Sequence, residues 1–180
     1  GMTDDILKIL ISEKELHDKV KELGAKISAD YAGKNLMMVS VLKGSVVFMA
    51  DLMRAITIPC EIDFMSVSSY GSDVKTSGVV KIIKDLDQEL AGKDLLIVED
   101  ILDSGMTLSY ITGLLKQRGP SSICLCTLLD KPERRQAEVS ADYFGFVVPD
   151  EFVVGYGLDY AEKYRNLPYV GILKPEVYSK

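Results

Sequence analysis

Leu95-Leu-Ile-Val-Glu99-Asp100-Ile-Leu-Asp103-Ser104-Gly105-Met106-Thr107 is the stretch on which the fold turns. A short apolar run delivers three carboxylates, then a glycine between two hydroxyl residues. Leu108, Ile111, Leu114 and Leu115 follow at helical spacing. The pattern predicts a buried parallel strand, a tight loop and an amphipathic helix. A loop at a helix N-terminus presents backbone N–H groups and a positive dipole end, and so holds a phosphate without lysine. Carboxylates beside such a cradle would repel the phosphate if they acted alone. They fit if they bind ribose hydroxyls and a divalent cation that travels with the phosphates. The segment therefore points to a phosphorylated sugar bound with magnesium.

Outward from this stretch, strands and helices alternate. Ser12-x-x-Glu15 reads as a capping box, with Leu16, Val20, Leu23 and Ile27 on one helical face and Gly33 as a stop. Leu36 to Leu42 reads as a strand, Gly44 to Ile56 as a helix and Glu61 to Val67 as a strand. Ser68 to Gly78, rich in Ser, Gly, Asp and Lys, reads as a mobile loop. Val79 to Ile83 resumes as a strand. Gly119-Pro120 ends the helix after the central loop, and strands are predicted at Ile123 to Leu129 and Asp142 to Val147. Phe152 to Tyr156 and Tyr169 to Leu173 close the pattern. The alternation predicts a mostly parallel α/β sheet flanked by helices, with ligands at the strand carboxyl ends. No linker, repeat or low-complexity tract interrupts residues 1–180, which read as a single domain.

Composition narrows the classes. A net charge of −6 and a pI near 4.9 disfavour nucleic acid as a partner, because such binding rests on a cationic surface. An anionic ligand must then find local positive charge in a few lysines, a cation or a helix N-terminus. No apolar run approaches the roughly 18 residues of a membrane span. The N-terminus lacks the basic and apolar regions of a signal peptide, and Gly1 ahead of Met2 reads as a cloning remnant. Cys60, Cys124 and Cys126 have neither disulfide-framework nor zinc spacing, so reduced core thiols and a cytoplasmic location are expected. With His17 as its single histidine, the chain offers no His-dependent triad or multi-histidine metal site. The dinucleotide fingerprint and the Walker P-loop are both absent.

Four further segments carry possible chemistry. Leu42-Lys43-Gly44-Ser45 follows a strand, and such a turn can set backbone N–H groups against a pyrophosphate. Read alone, it is more often a plain turn with a solvated lysine. Ser68-Ser69-Tyr70-Gly71 reads alone as a surface turn. Asp130-Lys131-Pro132-Glu133-Arg134-Arg135 reads alone as a charged surface turn. Val148 to Tyr160 mixes glycines, aromatics and Asp159 in a way that suits a ligand wall better than a core strand.

From about Leu36 to Leu173 these five ordered motifs resemble the hypoxanthine-guanine phosphoribosyltransferases, members of the type I phosphoribosyltransferase family. The resemblance implies that fold, with a small hood subdomain built from the terminal segments. It implies Mg2+-dependent purine salvage: ribose 5-phosphate passes from phosphoribosyl pyrophosphate (PRPP) to N9 of hypoxanthine or guanine. IMP or GMP and pyrophosphate are the products. By the same resemblance Glu99 and Asp100 hold the ribose hydroxyls and magnesium, and Asp159 holds a second magnesium. Ser104, Gly105, Met106 and Thr107 cradle the 5′-phosphate, and Asp103 accepts a proton from purine N7. Met106 replaces the lysine of some members, leaving only its backbone to serve. Lys43 and Gly44 bind pyrophosphate through a turn that often has a cis peptide before the lysine, and Arg165 contacts the same group. Ser69 and Tyr70 belong to a flexible loop that closes over the site and excludes water. Lys131 donates to the oxygen at purine C6, Phe152 stacks on the base, and the Val153 backbone reads its edge.

The expected partners are PRPP and a 6-oxopurine, with no nucleic acid and no membrane. The assembly expected is a homodimer or homotetramer, with Met49, Leu52 and Met53 as candidate interface positions. Two other readings stay open. One is an RNA-binding regulator on the same fold, which would need a basic face. The other is a transferase for xanthine or a pyrimidine.

Overall fold

The computed structural model describes residues 1–69 and 79–179. A six-stranded sheet forms its centre. β2 (Leu36–Val41), β3 (Glu61–Ser69), β5 (Asp94–Leu102), β6 (Ser122–Asp130) and β7 (Tyr143–Val147) run parallel. β4 (Val80–Lys84) pairs antiparallel with β3, and the order is β4-β3-β2-β5-β6-β7.

Alternation along the strands builds two cores. On one face Leu36, Met38, Leu96 and Val98 pack with α1 (Glu13–Asp30) and α2 (Val46–Ala55). On the other, Met37, Val39, Leu95 and Ile97 pack with Leu108, Ile111 and Leu115 of α3 (Met106–Lys116). Successive residues of β2 and β5 thus feed opposite cores, the period of two expected of strands covered on both faces. The capping box forms as predicted: Glu15 N donates to Ser12 Oγ at 3.1 Å and Ser12 N to Glu15 Oε1 at 3.0 Å.

Because α2 leads from β2 to β3 on one side and α3 leads from β5 to β6 on the other, chain direction diverges between β2 and β5. A crevice opens there, at the carboxyl ends of the strands. Buried Ser40 Oγ donates to the Val98 carbonyl at 2.7 Å and ties the two strands just below it.

A second sheet, β1-β9-β8, joins the terminal segments: β1 (Ile6–Ile11), β8 (Val153–Val154) and β9 (Val170–Leu173), all antiparallel. This is the hood that the resemblance implies. β1 itself has no counterpart in the sequence reading. Leu7 and Ile9 are exposed, so the strand lacks a buried run to announce it.

Two expectations are corrected. Met49 and Leu52 are fully buried under the sheet, so neither is free to meet a partner. Ser68 and Ser69 belong to β3, which the pairing Ser69↔Val80 extends beyond the predicted end. Tyr70 and the rest of the predicted loop to Gly78 lie outside the described residues.

Candidate active site

β5 delivers Glu99 and Asp100 to the crevice, and Gly105 starts α3 with φ +79°. Gly105 is required twice over. Its backbone lies in the left-handed region, and a Cβ there would collide with Val139. The turn is held from outside by Arg135, which donates to the Asp103 carbonyl at 3.1 Å and the Val139 carbonyl at 2.9 Å and pairs with Asp130. Gln136 N and Ala137 N donate to the Ser104 carbonyl. Ser104 Oγ accepts from Met106 N at 3.3 Å. The N–H groups of the first helical turn have no intrahelical acceptor and face the loop, as an anion cradle needs. A cavity of about 190 Å³ sits here, lined among others by Glu99, Asp103, Ser104, Gly105 and Thr107.

Three loops meet through glycine backbones. A Cβ on Gly44 would strike the Asp100 carboxylate, and one on Gly157 would strike the Gly44 carbonyl. The turn after β2, the end of β5 and the segment after β8 therefore touch in one row. The peptide Leu42–Lys43 is cis, as the resemblance implies. Arg165 Nη1 donates to the Gly157 carbonyl at 2.7 Å, and Arg165 Nη2 lies 3.4 Å from Asp159 Oδ1. Lys43, Gly44, Asp100, Asp159 and Arg165 are thus brought together from three segments, the first and last more than a hundred positions apart.

The electrostatics of the row are costly without a cation. Burial is the main cause that pushes the Glu99 carboxyl well above its ordinary range; the charge of Asp100 adds to it, and the Val41 N–H offsets part. Burial likewise raises Asp100, against the Ile101 N–H and Arg165, and Asp159 raises it further. Among the described residues, two buried carboxylate oxygens lack a hydrogen-bond partner: Glu99 Oε1 and Asp103 Oδ1. An orphaned buried oxygen beside a second carboxylate is a fitting ligand for a hard cation. No three His, Cys, Asp or Glu side chains among the described residues form a shell for a metal by themselves. Magnesium fits such a sparse donor set, because it completes its shell with water and substrate phosphate oxygens.

On the far side of Asp103, Lys131 is 7 % exposed and its Nζ donates to the Glu151 carbonyl at 2.8 Å, next to Phe152. The lysine retains two more donors. Phe152 meets Tyr160 edge-on at 5.5 Å and stacks on Tyr178 at 4.7 Å and 27°. Val153 lies in β8 with its side chain in the core, and the Phe152 carbonyl accepts from Leu173 N at 2.8 Å.

Several neighbours of the site went unread in the sequence. Arg134 Nε lies 3.4 Å from Asp103 Oδ1, and its Nη1 lies 3.7 Å from Asp150 Oδ1. Tyr178, from α4 (Pro175–Tyr178), reaches Phe152 only through the hood. Glu162 bridges Lys43 and Arg165. The run Lys131 to Arg135 carried a signal, its density of charge, but that density equally suits a solvated turn.

The comparisons agree with this geometry. Residues 11–161 match the phosphoribosyl transferase domain family. The chain is 58% identical over 177 residues to the hypoxanthine-guanine phosphoribosyltransferase of Bacillus subtilis, covering 98% of both. It is also 58% identical over its whole length to the bifunctional protein TilS/HprT of Listeria monocytogenes, of which it spans 28%. Among solved structures, a hypoxanthine phosphoribosyltransferase from Staphylococcus aureus superposes with a TM-score of 0.97 at 53% identity, over 99% of this chain and 97% of that one. No helix among the described residues is long and apolar enough to cross a membrane. With its PRPP-type loop set at the switch point of this sheet, the chain belongs to the phosphoribosyl transferase domain family, among the hypoxanthine-guanine phosphoribosyltransferases.

Proposed function

We propose that the chain, acting as one domain, transfers ribose 5-phosphate from PRPP to N9 of hypoxanthine or guanine, releasing pyrophosphate and IMP or GMP. What supports this reading is the row of contacts through Gly44 and Gly157: the turn carrying Lys43 lies against Asp100, three residues before the loop Asp103–Thr107, and Arg165 pairs with Asp159 on the same row. In the reaction the bond from ribose C1′ to the pyrophosphate oxygen breaks and a bond to N9 forms on the opposite face.

The groups divide the work. Residues Ser104 to Thr107 hold the 5′-phosphate by backbone N–H groups and hydroxyls, so Met106 serves through its backbone. Lys43, the Gly44 backbone and Arg165 neutralise the leaving pyrophosphate. Glu99 and Asp100 hold the ribose hydroxyls. Asp103, whose Oδ1 makes no hydrogen bond within the protein and faces Arg134 Nε at 3.4 Å, accepts the purine N7 proton as general base. Lys131 donates to the C6 oxygen, so adenine would leave a buried donor unpaired. Phe152 supplies a stacking face, and Val153 backbone groups read the base edge. Tyr70, in the segment that follows β3, would cover the bound PRPP. Family members work with a divalent metal. We assign it as Mg2+: Glu99 and Asp100 would hold one ion with the ribose hydroxyls and Asp159 a second, where they would neutralise charge on the pyrophosphate and ribose oxygens. The assignment extends to a cytoplasmic homodimer or homotetramer with no nucleic acid partner, in keeping with the charge of −6.

The test is nucleotide formation from PRPP with hypoxanthine, guanine, xanthine, adenine and uracil, with and without magnesium. The expected result is magnesium-dependent IMP and GMP, with adenine and uracil inert. Product from adenine or uracil, or from no base, would overturn the reading. In the same assay Asp103→Asn should lower kcat by roughly 10²–10⁴-fold, the usual contribution of a general base. Its effect on PRPP affinity should be much smaller. Unchanged turnover would remove Asp103 from the proton transfer.

A further inference from the structure

Between the two cations assigned to pyrophosphate stands a carboxylate with no part in the proposed reaction. Glu162 Oε1 lies 3.3 Å from Lys43 Nζ, and Glu162 Oε2 lies 3.3 Å from both Nε and Nη2 of Arg165. Its backbone N–H donates to Asp159 Oδ2 at 2.8 Å, which fixes the turn that carries it. Ala161 and Glu162 both sit in the left-handed region, with φ +53° and +65°. Non-glycine residues rarely do so, and two in succession hold this side chain over the cleft instead of away from it. One carboxylate thus occupies both donor groups that a diphosphate would use, each oxygen facing one cation.

We infer that Glu162 is a positioning residue of the pyrophosphate subsite: its carboxylate stands in for the diphosphate between Lys43 and Arg165, and the diphosphate of PRPP or the free pyrophosphate product must displace it. The inference rests on the reading of Lys43 and Arg165 as pyrophosphate ligands. Two physical consequences follow. In a chain of net charge −6, a carboxylate left beside an incoming multiply charged anion opposes its binding. The Glu162 and Lys43 side chains are 62 % and 66 % exposed, so displacement is cheap, and the effect is bounded by the modest strength of exposed pairs. While no diphosphate is bound, the same carboxylate keeps both cations over the cleft.

The sign is therefore unusual for a residue in a substrate cleft: removing its charge should tighten binding. Inorganic pyrophosphate with magnesium, titrated calorimetrically into the enzyme at low ionic strength, is the direct probe. Glu162→Gln should lower the pyrophosphate dissociation constant by about 1.5- to 5-fold, as expected for release of an exposed ion pair. The gain should shrink as salt is raised. In steady state the same variant should lower the KM for PRPP and leave that for the purine unmoved, a split that a general structural defect would not produce. Glu162→Ala should act in the same direction. Unchanged or weaker pyrophosphate binding in both variants would overturn the inference. Lys43→Ala separates the two layers. If it weakens pyrophosphate while Glu162→Gln does nothing, the subsite stands and the role of Glu162 falls. If Lys43→Ala leaves affinity intact, the subsite itself is wrong and the inference falls with it.

Discussion

Glu99 shows what the site demands of a single residue. It is 8 % exposed, beside Asp100, with Oε1 unbonded, and its carboxyl is raised mainly by burial. A carboxyl whose folded pKa exceeds the unfolded value of 4.5 binds its proton more tightly when folded. Its contribution to stability is complete below pH 4.5 and is lost as pH rises through the folded value. The metal-free enzyme should therefore bear an uncompensated or protonated carboxyl near neutrality. Glu99→Gln, which keeps the shape without the charge, should raise the thermal midpoint at pH 7.5 in chelator and give no gain near pH 4. Each 1 kcal/mol relieved should appear as about 2–4 °C for a chain of this size. Melting curves at the two pH values decide it, and an equal shift at both would exclude the charge as cause. Asp85 has the opposite design: hydrogen bonds from Arg118 hold it below its ordinary range at the surface. Cys126, pushed up to about 12 by burial, behaves as the inert core thiol its sequence context suggested.

At the scale of elements, the row of loops through Gly44 and Gly157 depends on how α2 meets the segment after β8. Tyr156 has φ +51° between the left-handed Gly155 and Gly157. Its hydroxyl donates to Asp51 Oδ2 at 2.5 Å, and Asp51 also pairs with Arg54. α2 starts two residues after Gly44, so Gly157 and Tyr156 fasten the same helix at its start and its middle. Tyr156→Phe should cost about 1–2 kcal/mol, or roughly 2–8 °C. It should raise the KM for PRPP several-fold with the purine KM unchanged, because only the row on the pyrophosphate side loses its strut. A PRPP KM equal to wild type would show that Gly157 suffices alone. Elements with local signatures were legible beforehand: the capping box of α1, the stripe of α3 and the apolar run of β5. β8 was not. A strand was read over Phe152 to Tyr156, but pairing lasts only for Val153–Val154, because the left-handed residues from Gly155 turn the chain into the site.

At the scale of the molecule, α1 and α2 approach so closely that a Cβ on Gly24 would collide with Ala55. Beside that contact lies a groove of about 1190 Å³ with apolar Leu16, Ala25 and Ala29 among residues of both charges, such as Glu13, Lys21 and Arg54. Mixed charge suits a two-fold partner, in which each patch meets its own copy. In the homodimer or homotetramer proposed above, this groove is the face a second copy would cover. Sedimentation should find a dimer or larger, and Ala25→Arg, at an exposed position, should shift the mass toward the monomer. A wild-type monomer at working concentration would refute the assignment.

The order of strand, acidic loop and helix was determined by the sequence itself, because hydrophobic period, caps and glycines act over a few residues. So was the class of ligand proposed, because the residues assigned to phosphate and ribose lie in one contiguous stretch, Glu99 to Thr107. Other features rest on distant segments that only the folded chain brings together. Lys43 reaches Glu162 across 119 positions, and Asp5 accepts from the Tyr164 hydroxyl across 159. The same holds for Phe152, whose partner Tyr178 arrives on the last turn of the hood. Residue type and spacing do not encode such meetings. They follow from the parallel register of β2, β5 and β6, which puts every carboxyl end on one edge, and from the hood sheet that folds the two termini over it.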